Sequence, residues 1–187
     1  MPADGLGEAF DAVLGAARAQ EPWAFQRIFE WLGRPVAAYL RGAGVDDPDG
    51  TANDVFLRVL GGIGRFEGTE ARFRSWVFAI AHNLVIDDRR RRSRRPQQAT
   101  LEGDVGPSAP GAEDDALVAL GDARVRALLA DLPPDQRDVV LLRIVADLSI
   151  EDTAAALGKR PGAVKSLQHR AMASLRRTLG DEGGVSR

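Results

Sequence analysis

The sequence predicts an all-α protein made of two small helical domains joined by a flexible acidic linker. Three observations predict this class: apolar residues recur at helical spacing in both halves, no segment shows the alternation of a strand, and a polar stretch separates the halves. The 187 residues suffice for one medium domain or two small ones. We therefore predict one domain over residues 20–95, a linker over 96–121 and a second domain over 122–180.

Three helices are predicted in the first half. Residues 22–42 keep their apolar side chains at helical spacing, and Pro35 is expected to kink or split this helix. The second helix covers residues 51–61 and has an apolar face of Val55, Phe56, Val59 and Leu60. A glycine-rich stretch then loosens the chain before the third helix, residues 73–95.

The third helix, FRSWVFAIAHNLVIDDRRRRSRR, is the most informative segment of the chain. Its apolar stripe repeats every three or four residues, at Phe73, Trp76, Val77, Ile80, Ala81, Leu84 and Val85. Its other face and its C-terminal end carry a block of arginines, so the helix is anchored on one side and cationic on the other. This arrangement suits a polyanion such as nucleic acid, although a charge run of this kind also occurs as a solvated tail.

The charge alternates along the chain, which the net charge of −2 and the pI of 5.7 conceal. Residues 65–95 hold nine arginines against four acids, and residues 124–187 hold eleven basic residues against eight acids. Residues 96–123 have six acids and no lysine or arginine. Two basic surfaces are therefore expected, on either side of an acidic linker.

Composition excludes several classes of function. There is no cysteine, which rules out disulfides and thiolate metal sites and is compatible with a cytoplasmic location. The two histidines, His82 and His169, are far apart in sequence, and no glycine-rich phosphate loop occurs. We therefore predict no catalytic residues, no metal site and no cofactor. No apolar run is long enough to cross a membrane, and no signal peptide is visible.

Residues 150–176 have the proportions of a helix-turn-helix. Ser149 and Asp152 form a capping-box pattern at its start, Gly158 fits the end of its first helix, and Pro161 suits the first turn of its second. The second helix would turn Val164, Leu167, Ala171 and Leu175 inward. Its N-terminal half then presents the polar side chains that a recognition helix needs, namely Lys165, Ser166, Gln168, His169 and Arg170. An amphipathic helical hairpin with a solvated basic face would have the same pattern.

The chain also resembles a known family. Four segments, DVFLRVL (54–60), FRSWVFAIAHNLVIDDRRRRSRR (73–95), LADLPPDQRDVVLLRIVADLSIEDTAAALG (129–158) and AVKSLQHRAMASLRR (163–177), resemble bacterial sigma factors of the extracytoplasmic-function (ECF) group. The resemblance covers roughly residues 20–179, and its strength lies in the joint order and spacing of the segments.

The resemblance implies a division of labour between the domains. The first, similar to sigma region 2, would bind the β′ clamp helices of core RNA polymerase through Asn53, Asp54, Phe56, Leu57 and Arg58. It would also capture a flipped −10 base and track the phosphates of that strand, through Phe66, Glu67, Gly68, Thr69, Trp76, Asn83, Arg89, Arg90, Arg91 and Arg92. The second, similar to region 4, would lie near the β flap and read the −35 element through Lys165, Ser166, Gln168, His169 and Arg170.

Other readings of the residues remain open. Phe66, Phe73 and Trp76 fit a core as well as the border of a base pocket, and Asn83 fits a solvent-facing position. A free-standing helix-turn-helix repressor or activator would use the first domain for dimerisation or sensing, and a helical adaptor would need no nucleic acid. The sigma resemblance further implies an anti-sigma partner, and a linker whose acids follow the RNA exit path.

Overall fold

The computed structural model describes residues 5–94 and 123–183, and all the regular structure in these two ranges is helical. The predicted all-α class is thereby confirmed. The predicted linker, 96–121, and Arg95 at the end of the arginine block lie outside the described residues.

Four α-helices build the first unit. They are α1 (Phe10–Arg18), α2 (Pro22–Ala43), α3 (Pro48–Gly62) and α4 (Glu70–Arg94). Pro22 and Pro48 each lie in the first turn, where the missing N–H costs no hydrogen bond. Pro35 lies inside α2 but does not split it, so the helix continues to Gly44, which ends it in the left-handed conformation with φ of 74°.

The core of this unit lies between α2, α3 and α4. The apolar stripe of α4 is buried as predicted at Phe73, Val77, Ala81, Leu84 and Val85, whereas Trp76 and Ile80 are half-buried. The core also includes α1, which buries Phe10, Val13, Leu14 and Ala17. The first unit therefore includes a helix that precedes the predicted domain start at residue 20.

The second unit begins with a short helix over residues 123–130, here α5, followed by α6 (Pro134–Ile144), α7 (Ile150–Leu157) and α8 (Pro161–Gly183). The guanidinium group of Arg137 on α6 donates to the carbonyl oxygens of Leu129 and Ala130, both at 2.7 Å. These bonds satisfy carbonyls that the end of α5 leaves without intrahelical partners.

The predicted capping residues are found around the helix-turn-helix, with one difference. Ser149 Oγ accepts from the N–H of Asp152 at 3.0 Å, and Gly158 ends α7 with φ of 61°. The carboxylate of Asp152 accepts from the Ser149 hydroxyl at 2.6 Å, instead of reaching the Ser149 N–H as predicted. Aspartate is one methylene shorter than the glutamate of the usual capping box, which limits its reach to the backbone.

Candidate polymerase and nucleic-acid interface

The helix α3 presents a mixed polar and apolar face to solvent. Asn53, Asp54, Leu57 and Arg58, four of the five residues predicted to bind polymerase, are exposed. Leu57 has an exposed fraction of 63%. The fifth, Phe56, is half-buried and packs on Phe29 of α2, with ring centroids 4.9 Å apart.

An apolar groove adjoins this face between α2 and α3. It has a volume of about 290 Å³ and is lined by Phe25, Gln26, Ile28, Phe29, Phe56, Val59 and Leu60. The sequence pattern assigned Phe29 and Leu60 to apolar helix faces, yet both side chains are exposed. Helical periodicity gives the face of a residue but does not tell whether a neighbouring helix covers it, so this groove was not predicted.

The loop between α3 and α4 is held by an aromatic cluster. The Phe66 ring stacks on Trp76 at a centroid distance of 5.2 Å and meets the buried Phe73 edge-on at 5.1 Å. A Cβ on Gly62 would lie 2.7 Å from Cζ2 of Trp76, so the close approach of the indole requires glycine there. The predicted core interpretation therefore holds for Phe73, while Phe66 and Trp76 are half-buried at the edge of the core.

The same loop is fixed by contacts from the N-terminal residues. Arg18 on α1 donates through its guanidinium to the carbonyl of Phe66. The carboxylate of Glu70 accepts from the backbone N–H groups of Leu6 at 2.8 Å and Gly7 at 2.9 Å. Between these anchors, the predicted base-capturing residues Glu67, Gly68 and Thr69 are exposed. The loop is thus pre-organised at both ends and open in the middle, which local sequence patterns around the loop did not indicate.

On α4, neighbouring residues have opposite environments. His82 is buried and forms a 3.0 Å hydrogen bond through Nδ1 with the hydroxyl of Tyr39, whereas Asn83 is exposed. Burial lowers the pKa of His82 below its ordinary value of 6.5, and burial followed by the charge of Asp138 raises the pKa of Tyr39 well above 10.0. Both groups are therefore neutral near pH 7 and support the helix that presents Asn83.

The four predicted phosphate-binding arginines divide into two kinds. Arg90, Arg91 and Arg92 are exposed, with ion pairs to Asp87 or Asp88 on the same helix. Arg89 is different, because both of its terminal nitrogens donate to the carboxylate of Asp138 on α6 at 2.7 Å. The structure therefore leaves three of the four guanidinium groups on a solvent-facing surface.

The recognition helix α8 has the predicted orientation. Val164, Leu167 and Ala171 are buried, while Lys165, Ser166, His169 and Arg170 are exposed and Gln168 is half-buried. Three residues, Gly158–Arg160, connect α7 to α8, and Lys159 pairs with Asp135 of α6 at 2.9 Å. The polar set therefore lies on one open surface at the N-terminal half of α8, as base readout from a major groove requires.

Within residues 5–94 and 123–183, no group of three or more histidine, aspartate or glutamate side chains has the arrangement to hold a metal ion. No helix in these ranges combines the length and the apolar character needed to span a bilayer.

Comparisons with known proteins agree with this geometry. The family model described as Sigma-70 region 2 matches residues 31–95, and the one described as Sigma-70, region 4 matches residues 122–175. The ECF RNA polymerase sigma factor ShbA of Streptomyces griseus is 38% identical over 129 residues, which are 67% of this chain and 68% of ShbA. The ECF RNA polymerase sigma factor SigD of Mycobacterium tuberculosis is 32% identical over 185 residues, which are 91% of this chain and 84% of SigD.

Solved structures of sigma factors also resemble this chain. CnrH, solved in complex with the cytosolic domain of CnrY, matches with a TM-score of 0.70 and 25% identity over 93% of this chain and 99% of that one. The sigma factor RpoE of Bartonella quintana, solved with the anti-sigma factor NepR, shares the fold at a TM-score of 0.61 and 21% identity, over 87% and 98% of the two chains. From the two regions, the identity to its relatives and the shared fold, it follows that this chain belongs to the ECF RNA polymerase sigma factors.

Proposed function

We propose that this protein binds core RNA polymerase and directs promoter-specific initiation, with −10 recognition by the first domain and −35 recognition by the second. The observation that carries the proposal is the exposed apolar face of α3, which occurs in the same chain as two separate cationic helix surfaces. A protein that binds DNA as a monomer needs the cationic surfaces but does not need the apolar one.

The α3 face supports polymerase binding in particular. Leu57 and the groove beside Phe29 supply apolar area, while Asn53, Asp54 and Arg58 supply polar groups around it. An apolar centre with a polar rim is the usual composition of a protein interface. We infer that the β′ clamp helices of the polymerase occupy this face.

The loop at residues 66–69 and α4 support −10 recognition. Extraction of a base from the duplex costs a few kcal/mol, so the pocket that receives it must already be formed. The stacked rings of Phe66 and Trp76 and the anchor from Arg18 give the loop that rigidity. Exposed arginines at the end of α4 lie on the same helix as Asn83 and supply phosphate contacts, which add affinity that falls with salt.

The helix α8 supports −35 recognition. Lys165 and Arg170 carry the donors that pair with guanine. Ser166 has a short hydroxyl side chain, and the amide of Gln168 can form two hydrogen bonds with adenine. Each domain is small, so each promoter contact is weak alone. Because both domains are held on one polymerase, the second contact forms at a high effective concentration.

The proposal includes control by an anti-sigma partner. The ECF family and the complex of CnrH with the cytosolic domain of CnrY support such a partner. The groove of Phe29, Phe56 and Leu60 offers this partner an apolar surface. A partner bound there would compete directly with polymerase. A protein that binds this groove would therefore keep the sigma factor from core enzyme.

Run-off transcription of genomic DNA, with purified core polymerase and with or without this protein, tests the proposal. We expect new transcripts with discrete 5′ ends whose upstream regions share two elements. If the folded protein co-elutes with core polymerase but adds no transcript, promoter recognition as proposed is wrong. If it neither co-elutes nor adds transcripts, the sigma assignment of the α3 face is wrong as well.

A further inference from the structure

The two units of this protein share one continuous core. Leu141 and Leu142 of α6 and Leu148 before α7 are fully buried in the same apolar cluster as Tyr39 of α2. A Cβ on Gly42 would lie only 2.6 Å from a methyl carbon of Leu141, which places α2 and α6 in direct contact. The burial is comparable to that inside a domain and is the main apolar contribution to holding the units together.

Two polar contacts join α4 to the second unit within this interface. Arg89 and Asp138 form a two-bond ion pair, with both nitrogen–oxygen distances at 2.7 Å. Arg74 donates from Nε to the carbonyl of Ala146 at 2.6 Å. Paired donors on a planar guanidinium fix orientation as well as distance, so the Arg89–Asp138 pair sets how α6 lies on α4.

This packing affects the surface that the proposed function assigns to the −10 strand. The side chain of Arg89 is only 21% exposed, against 72% for Arg91. Asn83, Arg89 and Arg90 line one wall of a cleft of about 830 Å³, whose opposite wall includes Asp135 and Asp138 of α6. Asp138 takes the donors of Arg89 that a phosphate would use, while Asp135 in the same cleft is paired with Lys159 at 2.9 Å.

The recognition helix has a different environment. Lys165, Ser166, His169 and Arg170 all remain exposed in the same structure. The packing of the units therefore occupies Arg89 on the −10 surface and leaves the −35 surface open.

We propose that this packed arrangement is an autoinhibited state, in which α6 occupies Arg89 of the −10 surface and Asp138 substitutes for a promoter phosphate there. The inference rests on the proposed role of α4 in −10 recognition. Its consequence is an order of events: α6 and α7 must leave α4 before a −10 strand can follow Asn83 and Arg89. A polymerase that holds the two domains apart would provide the driving force for this opening.

A reversible crosslink tests the need for opening. The chain has no cysteine, so Gly42→Cys with Leu141→Cys introduces a single possible disulfide between α2 and α6. The removal of the Leu141 side chain also frees the space that a Cβ at position 42 needs. In run-off transcription with core polymerase, we expect the oxidised variant to lose about tenfold or more of the transcript and the reduced variant to regain it.

The single-cysteine variants are the controls and should be unaffected by oxidant. If the crosslinked protein transcribes as well as the reduced one, the inference is overturned while the proposed function stands. If neither the reduced variant nor the wild-type protein yields transcripts, the proposed function fails instead. The two failures are therefore distinguishable.

A second variant probes the ion pair without a crosslink. Asp138→Asn keeps the shape of the side chain but removes its charge, and Asp135→Asn is the matched control because Asp135 pairs with Lys159 inside the second unit. Fluorescent labels at Gly15→Cys on α1 and Glu151→Cys on α7 report the separation of the units by energy transfer.

We expect Asp138→Asn to lower the energy transfer and to bind a labelled single-stranded oligonucleotide of mixed sequence several-fold more tightly than Asp135→Asn, at low salt. Unchanged energy transfer and unchanged DNA affinity in Asp138→Asn would overturn the role of the ion pair. A circular dichroism melt of each variant verifies that it is folded.

Discussion

The hydroxyl of Tyr39 and Nδ1 of His82 are 3.0 Å apart and join α2 to α4 through a buried hydrogen bond. Burial lowers the pKa of His82, and the charge of Asp138 opposes this shift only in part. The unfolded chain therefore binds a proton at His82 more readily than the folded chain does. This pair makes the stability of the protein depend on pH.

The direction of this pH dependence follows from the linkage between proton binding and folding. Because the folded pKa lies below the ordinary 6.5, the contribution of His82 is complete above that value and is lost as the pH falls through the folded pKa. We expect the free energy of unfolding from His82 to fall by at most about 1.4 kcal/mol per pH unit in this window. Urea denaturation at a series of pH values measures this change in the free energy of unfolding.

His82→Gln removes the titrating group but keeps a side chain able to hydrogen-bond with Tyr39. We expect a lower stability near pH 7 and a flatter dependence below pH 6.5. His169→Gln, at an exposed position on α8, is the control for the loss of a histidine side chain. An unchanged slope in His82→Gln would assign the pH dependence to other groups.

The α3 face gives a prediction about polymerase binding. Leu57→Asp should weaken co-elution with core polymerase by about tenfold or more, because it places a charge at the centre of an apolar contact. The free energy of unfolding should change by no more than about 0.5 kcal/mol, since the side chain is already exposed. Ile144→Asp on α6, with the same exposed fraction of 63%, is the matched control. Equal binding by both variants would exclude Leu57 from the interface.

The sequence predicts the helices well and their mutual contacts poorly, for physical reasons. Periodicity identifies α4 because its apolar stripe extends over four turns, and Phe10, Val13, Leu14 and Ala17 of α1 have the same helical spacing, although no helix was predicted there. Phe29 contacts Phe56 of α3 and still remains 53% exposed, because its exposure depends on how α2 and α3 pack, which no local pattern encodes. The Arg89–Asp138 pair joins residues 49 positions apart, and only the packing of α6 on α4 brings them together.

Substitution of Trp76 tests whether the stability of the first domain and promoter melting depend on the same side chain. Its ring stacks on Phe66 and fills the space that Gly62 leaves open. Since the side chain is half-buried, Trp76→Ala should cost about 2–3 kcal/mol of stability, less than the roughly 3–5 kcal/mol of a fully buried aromatic residue. Urea denaturation gives this cost, and permanganate footprinting of the promoter gives the extent of melting.

Trp76→Phe is the control because it retains a ring next to Phe66. We expect it to recover most of the stability and the melting together, since both depend on the shape of the loop. A Trp76→Ala protein that keeps wild-type stability but fails to melt the promoter would place the indole against DNA instead of in the loop support.

Arg170 is expected to determine promoter specificity at one position of the −35 element. Its guanidinium is exposed on the N-terminal half of α8, where a recognition helix makes base contacts. If it binds guanine through two hydrogen bonds, Arg170→Ala should cost about 1–3 kcal/mol at promoters with that base and relax the preference at one position. Transcription from a library randomised over the −35 element measures the change in preference. Arg176→Ala, an exposed arginine farther along the same helix, should leave the preference unchanged. A uniform loss across the library in Arg170→Ala would instead assign this residue to a phosphate, because phosphate contacts carry no base information.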